Sequence, residues 1–179
     1  MSDKKLKRRD FTNLWNRPGF LIRRLHQIHV AMFLEACAEF NVTPVQFGVL
    51  TVLNAHALTS EDALDQVTIA NSIGVDRNTA ADVIRRLETR GLLQRPVSVT
   101  DKRAKLAKIT ERGREFVTSV QPAMIDAQRR FTSPLSREEN DLLMGLLRKL
   151  INENNDASRA PLRQDDAADS KSQPGDLLK

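Results

Sequence analysis

The chain has 179 residues, enough for one domain with a hydrophobic core, whereas two independent domains would each be small. Its formal charge of +5 is uneven: residues 1–24 carry eight Lys or Arg against two Asp, and residues 75–110 carry nine against four acidic residues. Two basic regions indicate a polyanionic partner. The single cysteine excludes an internal disulfide. Without an apolar run of about twenty residues or a hydrophobic leader, we expect a cytoplasmic protein that does not enter the membrane.

The N-terminal half is predicted to begin with a basic arm followed by two helices. Residues 1–16 are polar and basic and should fray at their start. From Pro18, apolar residues recur at helical spacing up to about Phe40, which predicts one long amphipathic helix. Thr43 is a candidate N-cap for the second helix. Residues 59–65 are predicted to be a loop or capped turn.

Residues 66–90 predict a helix-turn-helix. A short apolar stripe stops at Gly74, which suits the left-handed turn between two crossing helices. Asp76 is placed to cap the following helix, which is rich in arginine and ends at Gly91. A helix fits the width of the DNA major groove, so this helix is the candidate recognition element.

A basic hairpin is predicted next, over about residues 92–109. Strand-like stretches at 92–99 and 104–109 flank a charged turn, and we call this hairpin the wing. A long helix then starts near Thr110, and it should bend at Pro122, which lacks a backbone N–H.

The last predicted helix carries a broad leucine stripe. Ser136 followed by Glu139 predicts a capping box at its start. The stripe is too wide for a peripheral helix of a monomer, so together with the first helix it predicts a homodimer interface. The alternative is that both helices cover the core of one protomer. The domain is expected to span residues 17–154, and residues 155–179, which are rich in Asp, Ser, Gln, Pro and Gly, are expected to be a disordered tail.

Five segments carry a resemblance to a known family, in order and with similar spacing: residues 43–46 (TPVQ), 67–70 (VTIA), 76–79 (DRNT), 87–95 (LETRGLLQR) and 101–103 (DKR). With them the chain resembles the MarR family of winged-helix transcription regulators over about residues 18–152. The resemblance implies a mainly α fold with a small β wing, a winged helix-turn-helix that dimerises through its N- and C-terminal helices. It also implies a double-stranded, pseudo-palindromic operator as partner, and repression as the usual outcome.

The resemblance places two groups of side chains at the DNA. Those of the recognition helix are Arg77, Asn78, Thr79, Asp82, Arg85 and Arg86, and those of the wing are Lys102 and Arg103. Arg103 is expected to enter the minor groove, oriented by Asp101, whereas Lys102 stands where many members carry arginine and favours phosphate.

Two alternatives stay open on the recognition helix. Asp82 either accepts a hydrogen bond from a cytosine amino group or pairs with Arg85 or Arg86 one turn away. Those two arginines either reach base edges or contact only phosphates.

The effector is suggested by a shorter resemblance. Most MarR-type proteins respond to a small molecule held between the dimerisation helices and the winged helix. Residues 16–29 look like the first helix of hydroxycinnamate repressors that sense a coenzyme A thioester, so p-coumaroyl-CoA is the first candidate and aromatic acid catabolism the candidate process. The residues expected to bind it are Arg17, Arg23 and Arg24 at phosphates, and His29, Met32, Phe33 and Phe47 around the ring. The arginines alternatively attract DNA or pair across the dimer.

Other functions have weaker signals. A Gly-rich phosphate loop, a nucleophile elbow and an HExxH pair are missing from the sequence, so we expect no enzyme, no catalytic residue and no cofactor. Cys37 is a redox sensor or, more simply, a buried apolar residue. His26 and His29 lack evident further ligands, so no metal site is assigned. The remaining alternatives are a MarR-type regulator that responds to oxidation or metal, and a non-specific architectural DNA-binding protein.

Overall fold

The computed structural model describes residues 11–97, 105–158 and 160–162. The α-helices within these ranges are α1 (Pro18–Ala36), α2 (Pro44–Ala57), α3 (Gln66–Ile73), α4 (Arg77–Thr89), α5 (Glu111–Thr132) and α6 (Arg137–Glu153). Short 3-10 helices lie at Leu14–Asn16, Ala38–Phe40 and Asn155–Ala157. The strands are β1 (Leu64–Asp65), β2 (Leu93–Gln94) and β3 (Leu106–Ile109). This is the expected mainly α architecture with a small β wing.

Side-chain caps explain where several helices begin. The Thr43 hydroxyl accepts from the Gln46 N–H, and the Gln46 amide oxygen accepts from the Thr43 N–H, which forms a capping box at the start of α2. Ser136 and Glu139 form the same box at the start of α6, as predicted. The Thr110 hydroxyl caps α5 by accepting from the third residue of that helix.

The wing base is part of a three-stranded antiparallel sheet with the order β1-β3-β2. Leu93 pairs with Ile109, and an isolated bridge between Val97 and Lys105 continues the hairpin. The prediction of a loop over residues 59–65 is wrong at its end, because β1 pairs with β3. A strand of two residues is too short to show the alternation by which strands are recognised. Residues 98–104, which include the predicted turn of the wing and the adjoining ends of both predicted strands, lie outside the described residues.

The core lies where the helix-turn-helix, the wing base and α5 meet. Its largest fully buried side chains come from α2, α3, α4 and the sheet, and include Leu50, Leu53, Ile69, Ile84, Leu87, Leu93 and Ile109. α5 packs along α1 on one side and against α2 on the other. One core therefore supports both the recognition helix α4 and the long helices α1 and α5.

The first helix differs in detail from its prediction, and the predicted bend of the fifth is not tested. α1 ends at Ala36, and a 3-10 turn continues to Phe40, where Asn41 adopts a left-handed conformation with φ of 47°. Because the 3-10 turn keeps nearly the helical spacing of apolar residues, the sequence pattern did not reveal this break. Pro122 lies inside α5, which is one continuous helix. The bend at that proline stays a prediction.

The described residues after α6 form a short 3-10 helix and a small loop. The Asn155 side chain donates to the Leu162 carbonyl at 3.0 Å and accepts from the Leu162 N–H at 2.8 Å, closing a small loop in which Ala160 is buried. This loop faces the turn of the helix-turn-helix at Gly74. The sequence pattern did not predict this loop, in which one amide satisfies two backbone groups. Residues 163–179 lie outside the described residues.

Candidate nucleic-acid interface and effector site

Both helices of the helix-turn-helix begin with an Asp N-cap and a Thr three residues later. The Asp65 carboxylate accepts from two backbone N–H groups of α3 and from the Thr68 hydroxyl. Asp76 accepts from two backbone N–H groups of α4 at 3.0 Å and from the Thr79 hydroxyl at 2.6 Å. The turn between them contains Gly74 with φ of 70°, the left-handed conformation predicted for it. The cap at Asp76 is as predicted; the one at Asp65 was missed, although the same Asp-x-x-Thr pattern marks it.

Asp76 is an anion at neutral pH. The Thr79 hydroxyl and the backbone N–H groups of the first turn lower its pKa below the ordinary value. The hydroxyl proton of Thr79 is therefore committed to Asp76, so outward the Thr79 oxygen offers only lone pairs. The Asp76 cap thus fixes the position of the first turn of the recognition helix, and it leaves the Thr79 oxygen as an acceptor of hydrogen bonds from outside.

The recognition helix α4 has one buried and one exposed face. Ala80, Ile84 and Leu87 are at most 2% exposed and attach the helix to the core. All six residues predicted to face DNA on this helix are exposed: Arg77, Asn78, Thr79, Asp82, Arg85 and Arg86. The helix can therefore enter a groove without losing its attachment to the domain.

Charges on the exposed face of α4 are only partly paired. Arg85 donates to Asp82 at 2.8 Å, so of the two partners considered for Asp82 the structure favours Arg85. Arg77 and Arg86 form no salt bridge with another described residue. Their guanidinium groups remain available for phosphate oxygens or base edges.

Arg90 anchors the C-terminal end of the recognition helix and was missed by the sequence analysis. Its guanidinium donates to the carbonyls of Asn41 at 2.8 Å and Phe40 at 3.1 Å, and it lies 5.0 Å from the ring centroid of Phe116. These contacts join α4 to the turn after α1 and to α5. The partners are about fifty residues away in the chain, so only the position of Arg90 in the family-like segment 87–95 hinted at a role.

Asp101, Lys102 and Arg103 lie outside the described residues, so their contacts with the minor groove and phosphate stay predictions. The wing base is held by Lys108 of β3, which donates to the backbone carbonyl and the carboxylate of Glu61. That hydrogen bond and the charge of Lys108 lower the pKa of Glu61.

His29 is the best defined of the predicted effector residues. The Gln128 amide of α5 lies 2.8 Å from Nε2 of His29, and the Phe131 ring packs edge-on at 5.5 Å between centroids. With the amide nitrogen of Gln128 facing it, Nε2 of His29 accepts this hydrogen bond, which is the role of a neutral imidazole nitrogen. Burial, and secondarily the charge of His26, lowers the pKa of His29. This part of the α1–α5 contact combines an apolar wall with polar groups.

The other predicted effector residues separate into three groups. Phe33 and Phe47 are 2% and 7% exposed and pack on each other in the core, with ring centroids 6.1 Å apart. The Arg17 guanidinium donates to the carbonyls of Phe11 and Thr12 and holds these two residues near the start of α1. Arg23 and Arg24 are exposed, and Met32 is half-buried. The structure of one protomer thus does not bring all seven predicted residues together around one open slot.

Cys37 is 1% exposed, and burial raises the pKa of its thiol. This environment is that of a packed apolar side chain, not of an activated thiolate.

Among the described residues, no three His, Cys, Asp or Glu side chains gather as a metal site requires. In that same part of the chain, no helix is long and apolar enough to cross a membrane.

The two terminal long helices expose large apolar side chains. In α1 these are Leu21, Ile22, Leu25, Ile28 and Leu34, and in α6 they are Leu142, Met144, Leu146, Leu147, Leu150 and Ile151. Each is at least 37% exposed. Helix faces that expose several large apolar side chains mark interaction surfaces in soluble proteins.

A capped helix-turn-helix with a basic exposed face, followed by a β hairpin, defines a winged-helix DNA-binding protein. A model of the MarR family matches residues 42–105. A putative transcriptional regulatory protein for the hcr operon of Thauera aromatica is 30% identical over 139 residues, which are 77% of this chain and 81% of the relative. The transcriptional repressor NicR of Pseudomonas putida is 27% identical over 78% of this chain and 85% of its own. The chain belongs to the MarR family, and its relatives are transcriptional regulators.

Solved structures agree with this membership. BpsR of Bordetella bronchiseptica, whose DNA binding is regulated by 6-hydroxynicotinic acid, is 30% identical with a TM-score of 0.67, over 74% of this chain and 96% of its own. PcaV of Streptomyces coelicolor, in complex with its natural ligand, is 30% identical with a TM-score of 0.68, over 78% and 95%. The repressor CouR bound to a 23-mer DNA duplex is 26% identical with a TM-score of 0.69, over 80% and 99%.

Proposed function

We propose that this MarR-family regulator is a homodimeric repressor that binds a pseudo-palindromic operator and leaves it when a small aromatic acid, or the coenzyme A thioester of one, binds. The observation that carries the proposal is the two-sided recognition helix, with Ala80, Ile84 and Leu87 in the core and Arg77 and the other arginines outward. Arg103 of the wing is proposed to enter the adjacent minor groove, with Lys102 on phosphate and Asp101 orienting Arg103.

A dimer accounts for the exposed leucines. The apolar faces of α1 and α6 lie at the two ends of the chain, so pairing two protomers buries both faces at once. Two-fold pairing also presents two recognition helices to one side of a duplex, where successive major grooves are about 34 Å apart. The protomer thereby supplies one half-site of contacts, and its partner supplies the other.

The effector is proposed to bind where α1 meets α5 and the partner protomer. His29 and Phe131 supply an apolar wall, in which Nε2 of His29 is hydrogen bonded to Gln128, and Met32 lies half-buried nearby on α1. Arg23 and Arg24 are exposed on α1 and suit a carboxylate or the phosphates of coenzyme A. Entry of a ring beside Phe33 and Phe47 requires these two packed rings to move apart. Ligand binding then favours a dimer with a different spacing of recognition helices.

DNA selection tests the proposed function. The purified protein is sized by sedimentation and then used to select from a pool of random 24-base-pair duplexes at fixed salt. The expected result is a dimer that enriches an inverted repeat and binds it roughly a thousandfold or more tighter than a scrambled duplex. Equal affinity for both duplexes would support a packaging protein and contradict a specific regulator.

A thermal-shift screen tests the effector. The ligands are 6-hydroxynicotinic acid, p-coumaric acid, p-coumaroyl-CoA and free coenzyme A, each titrated against the purified dimer. A ligand at a hundred times its Kd should stabilise the protein by about 2.7 kcal/mol and weaken operator binding in a parallel titration. If the four ligands leave both the melting temperature and operator affinity unchanged, these compounds, including p-coumaroyl-CoA as the first candidate, are excluded as effectors.

A further inference from the structure

Near the centre of the exposed face of α4, a carboxylate and a guanidinium group are in direct contact. Arg85 and Asp82 are joined at 2.8 Å, and their side chains are 69% and 60% exposed. They lie on the side of the helix opposite Ala80, Ile84 and Leu87. An acidic side chain on a surface that approaches phosphates lowers the affinity for DNA. Its presence there therefore needs an explanation other than electrostatic attraction to the backbone.

Base pairs in the major groove show hydrogen-bond patterns that such a couple could match. Cytosine offers the N4 amino donor, and its partner guanine offers two neighbouring acceptors, O6 and N7. The N4 and O6 atoms are about 3 Å apart because they are hydrogen bonded to each other. A carboxylate and a guanidinium joined at 2.8 Å present an acceptor and donors at nearly the same spacing.

We propose that Asp82 and Arg85 act as one unit that reads a C·G base pair in each half-site. Asp82 accepts from cytosine N4, and Arg85 donates to O6 and N7 of the paired guanine while keeping its bond to Asp82. This inference rests on the proposed function, since it assumes a recognition helix in the major groove. It adds which base pair that helix selects and by which two residues.

The same geometry disfavours the other base pairs. An A·T pair also has a donor beside an acceptor, but thymine follows its O4 with a methyl group where guanine has N7. Arg85 would lose its second hydrogen bond there and meet an apolar group. A reversed G·C pair would place Asp82 against guanine acceptors, which repel a carboxylate.

The hydrogen bond at Thr79 supports a reader of amino groups. Its hydroxyl donates to Asp76 at 2.6 Å, so next to Asp82 the helix presents a second group that only accepts. Neither oxygen can satisfy the acceptors of guanine or thymine. The part of α4 around Asp82 is thereby selective for base donors, whereas Arg77 and Arg86 provide the charge that binds the backbone.

The test compares selections from the random duplex pool by the wild-type chain, Asp82→Asn, Arg85→Gln and the control Glu88→Gln. The control removes one negative charge from the same helix, at a side chain whose partner is Arg95 at 4.0 Å. The wild type should prefer C·G at one position of each half-site by about fivefold to a hundredfold. Asp82→Asn and Arg85→Gln should both relax that same position, and Glu88→Gln should leave it unchanged.

A second measurement separates the loss of base-pair recognition from the effect of removing one negative charge. Asp82→Asn and Glu88→Gln should both raise affinity for a scrambled duplex by a similar factor, because each removes one negative charge. Only Asp82→Asn should lower the ratio of specific to scrambled binding. The inference is overturned if the two variants at Asp82 and Arg85 relax different positions, or if the selected motif keeps its C·G preference in both. A wild-type chain that selects no motif would overturn the proposed function itself.

Discussion

Alanine at position 113 should strain the junction between the wing and α5. Gly113 is buried in the first turn of α5, and a Cβ atom there would lie 2.0 Å from the carbonyl oxygen of Leu92 and 2.7 Å from Cγ1 of Ile109. Favourable carbon contacts lie at about 3.5–4.0 Å. The first of these neighbours is backbone and cannot rotate away, so α5 or the wing base must move by more than about 1 Å.

The expected cost follows from that clash. Overpacking a core with one methyl group typically costs about 1–3 kcal/mol, and a clash with backbone belongs at the upper end. About 3 kcal/mol is a large part of the total stability of about 5–15 kcal/mol of a typical domain. For a chain of this length it corresponds to a fall in Tm of about 6–12 °C.

Urea denaturation and calorimetry at one fixed protein concentration measure this effect, since dimerisation makes apparent stability depend on concentration. Gly145→Ala is the matched control: Gly145 lies inside α6, and nothing lies within 4 Å of a Cβ built there. That variant should gain about 0.5–1 kcal/mol from helix propensity. If Gly113→Ala stays within about 0.5 kcal/mol of the wild type, the close packing of α5 on the wing base is wrong.

Three further predictions concern side chains in the long helices and at the end of α4. Because the fold lowers the pKa of His29, the unfolded chain takes up a proton at a higher pH than the folded protein does. The free energy of unfolding should therefore decrease as the pH falls below about 6.5, and it should decrease less in His29→Gln. Equal slopes for the two proteins in urea denaturation from pH 7.5 to 5.5 would contradict this. Arg90→Met should lose about 1–3 kcal/mol with its two bonds to backbone carbonyls, and a thermal melt like that of the wild type would refute the anchor. Cys37 should react with a thiol reagent many times faster in urea than in the native protein, whereas rapid native labelling would revive the redox alternative.

Local signals carried most of the fold prediction. Caps at Thr43, Asp76 and Ser136 and the left-handed Gly74 are each specified within a few residues, so the sequence shows them directly. The candidate DNA face follows from the same signals, because once α4 is fixed at Asp76 its periodicity determines which side is exposed.

Long-range contacts carried no such signal. The bond from Arg90 to Asn41, the pairing of β1 with β3 and the burial of Phe33 against Phe47 all join residues distant in the chain. The effector prediction rested on residue types along α1 together with Phe47, and it did not anticipate the contact of His29 with Gln128 of α5.

Hydroxyl-radical footprinting on the selected duplex tests the central claim most directly. A dimer with two recognition helices in successive major grooves should protect two regions on one face of the duplex, with centres about 10 base pairs apart. Arg77→Ala should weaken both regions equally while the protein stays dimeric. A single protected region, or uniform protection along the whole duplex, would contradict a dimer that binds an inverted repeat through two recognition helices.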